Sequence, residues 1–170
     1  MTKKSGVEFR GKFFWVYDVV GGVFLWHLIN VAKKHISETE DTWLEYYIKK
    51  WQAAAVVTEL AYYADDKWTE EQLSLIINFS RQAIQDIRDH GDFPKDEVSS
   101  WDLGYGWTIH ARGYDPVPHE PIALFGEAFI LLLQNNLPVP PEKTTWFYGT
   151  KNEPMTIEIN CNYDEIRRKS

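Results

Sequence analysis

The stretch that decides the fold is the apolar run Phe13–Ala32, FFWVYDVVGGVFLWHLINVA. A helix of this length could cross a bilayer. Asp18, His27 and Asn30 would each be costly in hydrocarbon, however, so the run favours a protein interior. We therefore predict a buried core helix over about 13–35, in which these three polar groups find hydrogen-bond partners. Membrane anchoring through residues 13–32 is the alternative.

Two adjacent glycines, Gly21 and Gly22, lie inside the predicted core helix. Glycine weakens a helix, by roughly 1 kcal/mol relative to alanine, and allows another element to approach the backbone closely.

The apolar run is longer than the core of a usual signal peptide, and no small-x-small cleavage site ends it. We therefore predict a cytoplasmic protein. The single cysteine, Cys161, fits that compartment and excludes an internal disulfide framework.

Downstream of the run, apolar residues recur at steps of three and four in three further segments. Ser37 with Glu40, and Thr69 with Gln72, have the spacing of a capping box at the start of the first two. Residues 1–12 and 92–106 carry no comparable periodicity, and we predict loops there. The predicted helices cover about 40–63, 69–90 and 120–134.

The last third of the chain alternates apolar with polar residues, as half-buried strands do. We predict that three such segments form one antiparallel sheet: Trp107–Arg112, Thr144–Tyr148 and Met155–Cys161. The fold class is α+β with helix dominant, in which three long N-terminal helices and a fourth pack against a small antiparallel sheet from the C-terminal half. We expect a single domain over 1–170, with loose tails at 1–12 and 163–170.

The charge of the chain is acidic and unevenly distributed. The whole sequence has a net charge of −7, but residues 13–163 hold 11 basic against 22 acidic residues. Such a surface repels nucleic-acid phosphates, and it attracts a basic partner and speeds the encounter. An alternative interpretation is that the acidic residues keep a protein with 15% aromatic residues in solution.

Acidic and aromatic side chains concentrate in the segment 86–114. Tyrosine and tryptophan are favoured anchors of protein interfaces because they combine contact area with a polar tip. We predict that this surface binds a basic protein, the alternatives being a solvated acidic face and aromatic residues that only support loops. The predicted partner-binding residues are Asp86, Asp89, Asp92, Asp96, Glu97, Trp101, Asp102, Tyr105 and Tyr114.

Catalytic signals are weak by comparison. No HExxH or G-x-S-x-G motif is present, and Gly104-Tyr105-Gly106 lacks the third glycine of a phosphate-binding loop. Cys161 falls on the apolar face of its predicted strand. We predict no cofactor and no metal. One constellation keeps an acid–base or metal-assisted enzyme open as the alternative, and it comprises His110, Asp115, His119, Glu120 and Glu127.

These features favour a non-catalytic acidic binding protein with a basic protein partner and no affinity for nucleic acid or membrane. In size, charge and lack of a catalytic motif the chain resembles the bacterial immunity proteins, which neutralise toxins such as nucleases. The resemblance is to a general class and rests on no shared motif. It implies an inhibitor that neutralises a basic toxin by direct contact. The enzyme and the membrane-associated protein remain the alternatives.

Overall fold

The computed structural model describes residues 4–56, 59–60 and 62–159, with only the backbone described at 59–60. It confirms the α+β class. The five strands are β1 (Lys4–Phe9), β2 (Lys12–Tyr17), β3 (Glu59–Leu60), β4 (Thr144–Tyr148) and β5 (Met155–Glu158). The five helices are α1 (Asp18–Glu38), α2 (Trp43–Ala54), α3 (Glu70–His90), α4 (Lys95–Ser100) and α5 (His119–Leu133).

The strands form one sheet in the order β3-β1-β2-β4-β5. The pairs β1–β2 and β4–β5 are antiparallel hairpins, whereas β2–β4 and β1–β3 are parallel. The predicted pairing of 144–148 with the following strand is confirmed as far as Glu158. Ile159 lies in a turn after β5 and is 63% exposed, so the predicted strand does not continue through it. Residues 160–161, which include Cys161, and the predicted tail at 163–170 lie outside the described residues.

The N-terminal residues were wrongly predicted as a loose arm, since Lys4–Phe9 form β1. Val7 and Phe9 are buried on the same face of that strand, and Arg10-Gly11 makes the turn to β2 with φ of 48° and 77°. The predicted core helix over 13–35 is also wrong at its start. Strand β2 ends at Tyr17, and the helix begins only at Asp18.

Helix α1 is the central helix, and it packs against α2, α3 and α5. The predicted close approach at its glycines is confirmed. A β carbon at Gly21 would collide with the Tyr63 hydroxyl, and one at Gly22 would lie 3.0 Å from the Ala55 carbonyl oxygen. None of the helices in the described part of the chain is long and apolar enough to cross a membrane.

Helix boundaries differ from the prediction around residues 37–63. Helix α1 continues through Ser37, whose hydroxyl donates to the Lys34 carbonyl at 2.6 Å, so Ser37 and Glu40 do not form a capping box. Helix α2 ends at Ala54 rather than near Tyr63. The segment 92–106, predicted as loop, contains the short helix α4.

The predicted strand 107–112 does not form. Its alternation arises because Ile109 and Ala111 are buried while their neighbours are not. Ile109 packs over Gly22 of α1, where a β carbon would lie 3.4 Å from an Ile109 methyl carbon. Burial of alternate residues in a loop therefore reproduced the pattern of a half-buried strand.

The predicted capping box of α3 is confirmed. The backbone N–H of Gln72 donates to the Thr69 hydroxyl at 3.2 Å, and the Thr69 N–H donates to the Gln72 side chain at 3.0 Å. We expect Thr69→Ala to lower the free energy of unfolding by about 1 kcal/mol, because the start of α3 loses its cap. Urea denaturation measures this change. Ser74→Ala, at an exposed position of the same helix, is the control and should change stability by less than about 0.5 kcal/mol.

Candidate functional site

A tight loop after α4 presents the most exposed aromatic ring among the predicted site residues. We call residues 102–107 the aromatic loop. The Leu103 N–H donates to the Trp107 carbonyl at 2.9 Å, and the Trp107 N–H donates to the Gly104 carbonyl at 3.0 Å. Tyr105 occupies the tip with φ of 57°, between two glycines with φ of 90° and 74°. The Tyr105 side chain is 85% exposed.

Trp107 lies beside Tyr105 in this loop. Their ring centroids are 5.6 Å apart, and Trp107 is 41% exposed. The sequence did not indicate Trp107 as a site residue, because the alternation over 107–112 predicted a strand there. The flanking glycines were the available signal, since they permit the positive φ that the turn requires.

Packed aromatic rings hold the base of the aromatic loop. The Trp101 ring stacks on Trp26 of α1 at 5.0 Å, with the two planes within 3° of parallel. Phe93 contacts the Trp101 ring edge-on, and His27 of α1 contacts both. Trp101 is half-buried, so its role is to fix the position of the loop. Tyr114 is also half-buried and packs edge-on against Tyr17.

Several of the predicted acidic residues are engaged within the protein. Asp92 accepts from the His119 ring at 2.5 Å and from the His119 backbone N–H at 3.0 Å. The first of these hydrogen bonds, and to a smaller extent the second, lowers the pKa of Asp92. The second also caps the start of α5. Glu97 pairs with the His90 ring at 2.8 Å. These two carboxylates tie α4 and its flanking loop to α3 and α5.

Other acidic residues of the predicted surface remain exposed. Asp89 faces solvent at the end of α3 and accepts from the neutral Gln85 amide. Asp96 is exposed on α4, and Asp102 is exposed at the start of the aromatic loop. Asp86 is half-buried and accepts from Gln82. The acidic part of the surface therefore consists mainly of Asp89, Asp96 and Asp102.

The residues of the enzyme alternative are not brought together for catalysis. Arg88 donates to Glu120 at 2.9 Å and to Glu127 at 2.7 Å, and its hydrogen bond lowers the pKa of Glu120. His119 is held by Asp92, and His110 lines a cavity whose lining includes none of the other four. No group of three His, Cys, Asp or Glu side chains that could hold a metal occurs within the described ranges.

The three polar groups of α1 for which we predicted buried partners lie in different environments. Asp18 forms an ion pair with Arg112, and the two side chains are 7% and 14% exposed. Asn30 is exposed, so it did not need the buried partner that we predicted. The Nε2 atom of His27 is buried and has no hydrogen-bond partner among the described residues, which contradicts the prediction for this residue.

Burial lowers the pKa of His27 to about 4 from an ordinary 6.5, with Asp86 raising it and His90 lowering it by smaller amounts. Between these pH values the unfolded chain binds a proton that the native protein excludes. Stability should therefore fall as the pH drops from about 6.5 to about 4, by at most about 1.4 kcal/mol per pH unit from this group.

Denaturation in urea across this pH range tests the expectation. The substitution His27→Phe preserves the ring contacts with Phe93 and Trp101, and it should make the free energy of unfolding less dependent on pH. His110→Phe, at an exposed histidine, is the control and should keep the parent slope. An unchanged slope in His27→Phe would show that His27 does not cause the acid sensitivity.

The chain matches no protein-family model, and neither a curated protein nor a solved structure is significantly similar to it. We therefore infer its function from its own residues.

Proposed function

We propose that this protein is a non-catalytic binding protein whose aromatic loop and surrounding carboxylates contact a basic protein partner. The observation that carries the proposal is the Tyr105–Trp107 pair, which is displayed on a tight turn rather than packed inside. Turn hydrogen bonds and the Trp101–Trp26 stack hold this pair in position, so little conformational entropy is lost on binding.

Charge supports a basic partner. Asp89 is exposed at the end of α3, Asp96 on α4 and Asp102 at the start of the aromatic loop, and the body of the chain is strongly acidic. Exposed carboxylates at the edge of an interface steer a basic partner toward it, while aromatic residues at the centre slow its departure. The carboxylates therefore speed association, and the aromatic residues slow dissociation.

The most economical form of this proposal is an immunity-type inhibitor of a basic toxin, for which a nuclease is one candidate. An inhibitor of this kind needs a stable complementary surface and no catalytic group. Three residues of the enzyme alternative favour this interpretation, because Arg88 already engages Glu120 and Glu127, and Asp92 engages His119.

Capture of the partner from the native cell tests the proposal. We expect the tagged protein to retain a basic protein at low salt and to release it at high salt, because the Debye length falls from about 10 Å at about 0.1 M to about 3 Å at about 1 M. Expression of the captured protein alone should arrest growth, and co-expression of this chain should restore it. A partner that is acidic, or whose expression is harmless, would contradict the inhibitor.

A further inference from the structure

A groove lies between the β1–β2 hairpin, α2 and the segment 62–66. Its volume is about 430 Å³, within the range of small-ligand pockets. None of its lining residues belongs to the aromatic loop. The lining residues are Gly6, Glu8, Phe13, Lys50, Tyr62, Ala64, Asp65 and Asp66.

The groove is acidic. Three carboxylates line it, from Glu8, Asp65 and Asp66, against the single ammonium of Lys50. The excess of two negative charges favours a cationic ligand.

Two of these carboxylates are held in place by the protein. Asp65 accepts from the Lys67 N–H at 2.9 Å and from the Tyr47 hydroxyl at 3.0 Å, and Asp66 accepts from the Arg10 N–H at 2.6 Å. The Lys67 N–H above all, with further contributions from Tyr47 and Lys50, lowers the pKa of Asp65. Asp65 therefore remains a charged carboxylate at neutral pH.

Two exposed tyrosines already surround a cation at this groove. The Lys50 ammonium lies 4.6 Å from the centre of the Tyr46 ring and 5.0 Å from that of Tyr62. Both distances fall within the range of a cation–π interaction. The rings are 56% and 67% exposed, so an external group can reach them. Lys50 thus occupies the position in which a ligand cation would lie.

We propose that this groove binds the guanidinium group of an arginine side chain, with Lys50 as the internal cation that it displaces. A guanidinium is planar, stacks on an aromatic face such as Tyr62, and pairs with a carboxylate such as Glu8. An ammonium group stacks less well on an aromatic ring and pairs less well with a carboxylate. The flexible stem of Lys50 allows it to move aside. This proposal does not rest on the aromatic loop, and either can fail alone.

Titration of the ¹⁵N-labelled full chain with N-acetyl-arginine amide, followed by NMR, tests the proposal. N-acetyl-citrulline amide, which has nearly the same shape without the charge, is the ligand control. We expect the arginine compound alone to shift the amide signals of Gly6, Glu8, Ala64 and Asp66. No shift at these amides, or an equal response to citrulline, would overturn the proposal.

Variants test the roles of Lys50 and Tyr62. Lys50→Met should tighten binding about fivefold, because it removes a competing cation, and Tyr62→Ala should weaken it about fivefold. Tyr62→Phe should bind as the parent does. Lys49→Met, at the neighbouring exposed lysine, controls for the change in net charge and should have no effect. Weaker or unchanged binding in Lys50→Met would show that Lys50 does not occupy a ligand position.

Discussion

Replacement of Arg112 by methionine is expected to lower the free energy of unfolding by about 3 to 5 kcal/mol, because it removes the guanidinium that pairs with the buried Asp18 carboxylate. The two side chains are 14% and 7% exposed, so water cannot replace the guanidinium fully. Asp18 also accepts from the Val19 N–H at 2.9 Å at the start of α1. Loss of Arg112 therefore destabilises the helix that organises the core.

Urea denaturation of a matched set of variants measures this effect. Arg81→Met, at an exposed arginine that donates to Asn78, is the control and should change stability by less than about 0.5 kcal/mol. The double variant Asp18→Asn/Arg112→Met should be more stable than Arg112→Met alone, since it also removes the buried charge with which Arg112 pairs. A loss below about 1 kcal/mol in Arg112→Met would show that the pair behaves as a solvated surface bridge.

Truncation of the aromatic loop is expected to weaken partner binding by at least about 2 kcal/mol, or roughly 30-fold in Kd. Tyr105→Ala and Trp107→Ala should each act mainly by raising the off-rate, because they remove packed contact area. Surface kinetics with the captured basic partner measures both rates. Val139→Ala is the control, since Val139 is as exposed as Tyr105 at 86%.

Charge reversal at the same surface is expected to act on the on-rate. The variant Asp89→Lys/Asp96→Lys should associate about tenfold more slowly at low salt, and the difference should shrink at high salt. Asp92 is unsuitable for this experiment because it caps α5. Glu142→Lys/Glu153→Lys, at two exposed positions outside this surface, changes the net charge equally and is the control. Parent-like kinetics in all loop and charge variants would show that the partner binds elsewhere.

The sequence predicted the elements whose periodicity is uninterrupted. Helix α3 begins at the predicted capping box and ends before Gly91, and the β4–β5 pairing follows from its alternation. The boundary between β2 and α1 was missed, because no glycine or proline stands at positions 17 and 18 to mark the end of a strand and the start of a helix. An apolar strand directly followed by a buried helix reads as one apolar run.

For the candidate site, the sequence identified Tyr105 and the acidic character of segment 86–102. It could not distinguish Asp96 from Asp92, which is also exposed but pairs with His119, because that histidine is 27 residues away. Long-range partners of this kind depend on how α3 and α5 pack, which no local pattern encodes. The acidic groove beside Tyr62 was missed for the same reason, since it combines residues from β1, β2 and α2.

The central claim is that the aromatic loop contacts a basic protein in the cell. The most direct measurement is site-specific photocrosslinking, with a photoreactive phenylalanine analogue at position 105 and, in a parallel sample, at the equally exposed position 139. The account predicts one major adduct from position 105, with a basic protein, that is absent from position 139 and diminished by high salt. The absence of any adduct from position 105, the same adducts from both positions, or an acidic crosslinked protein would contradict it.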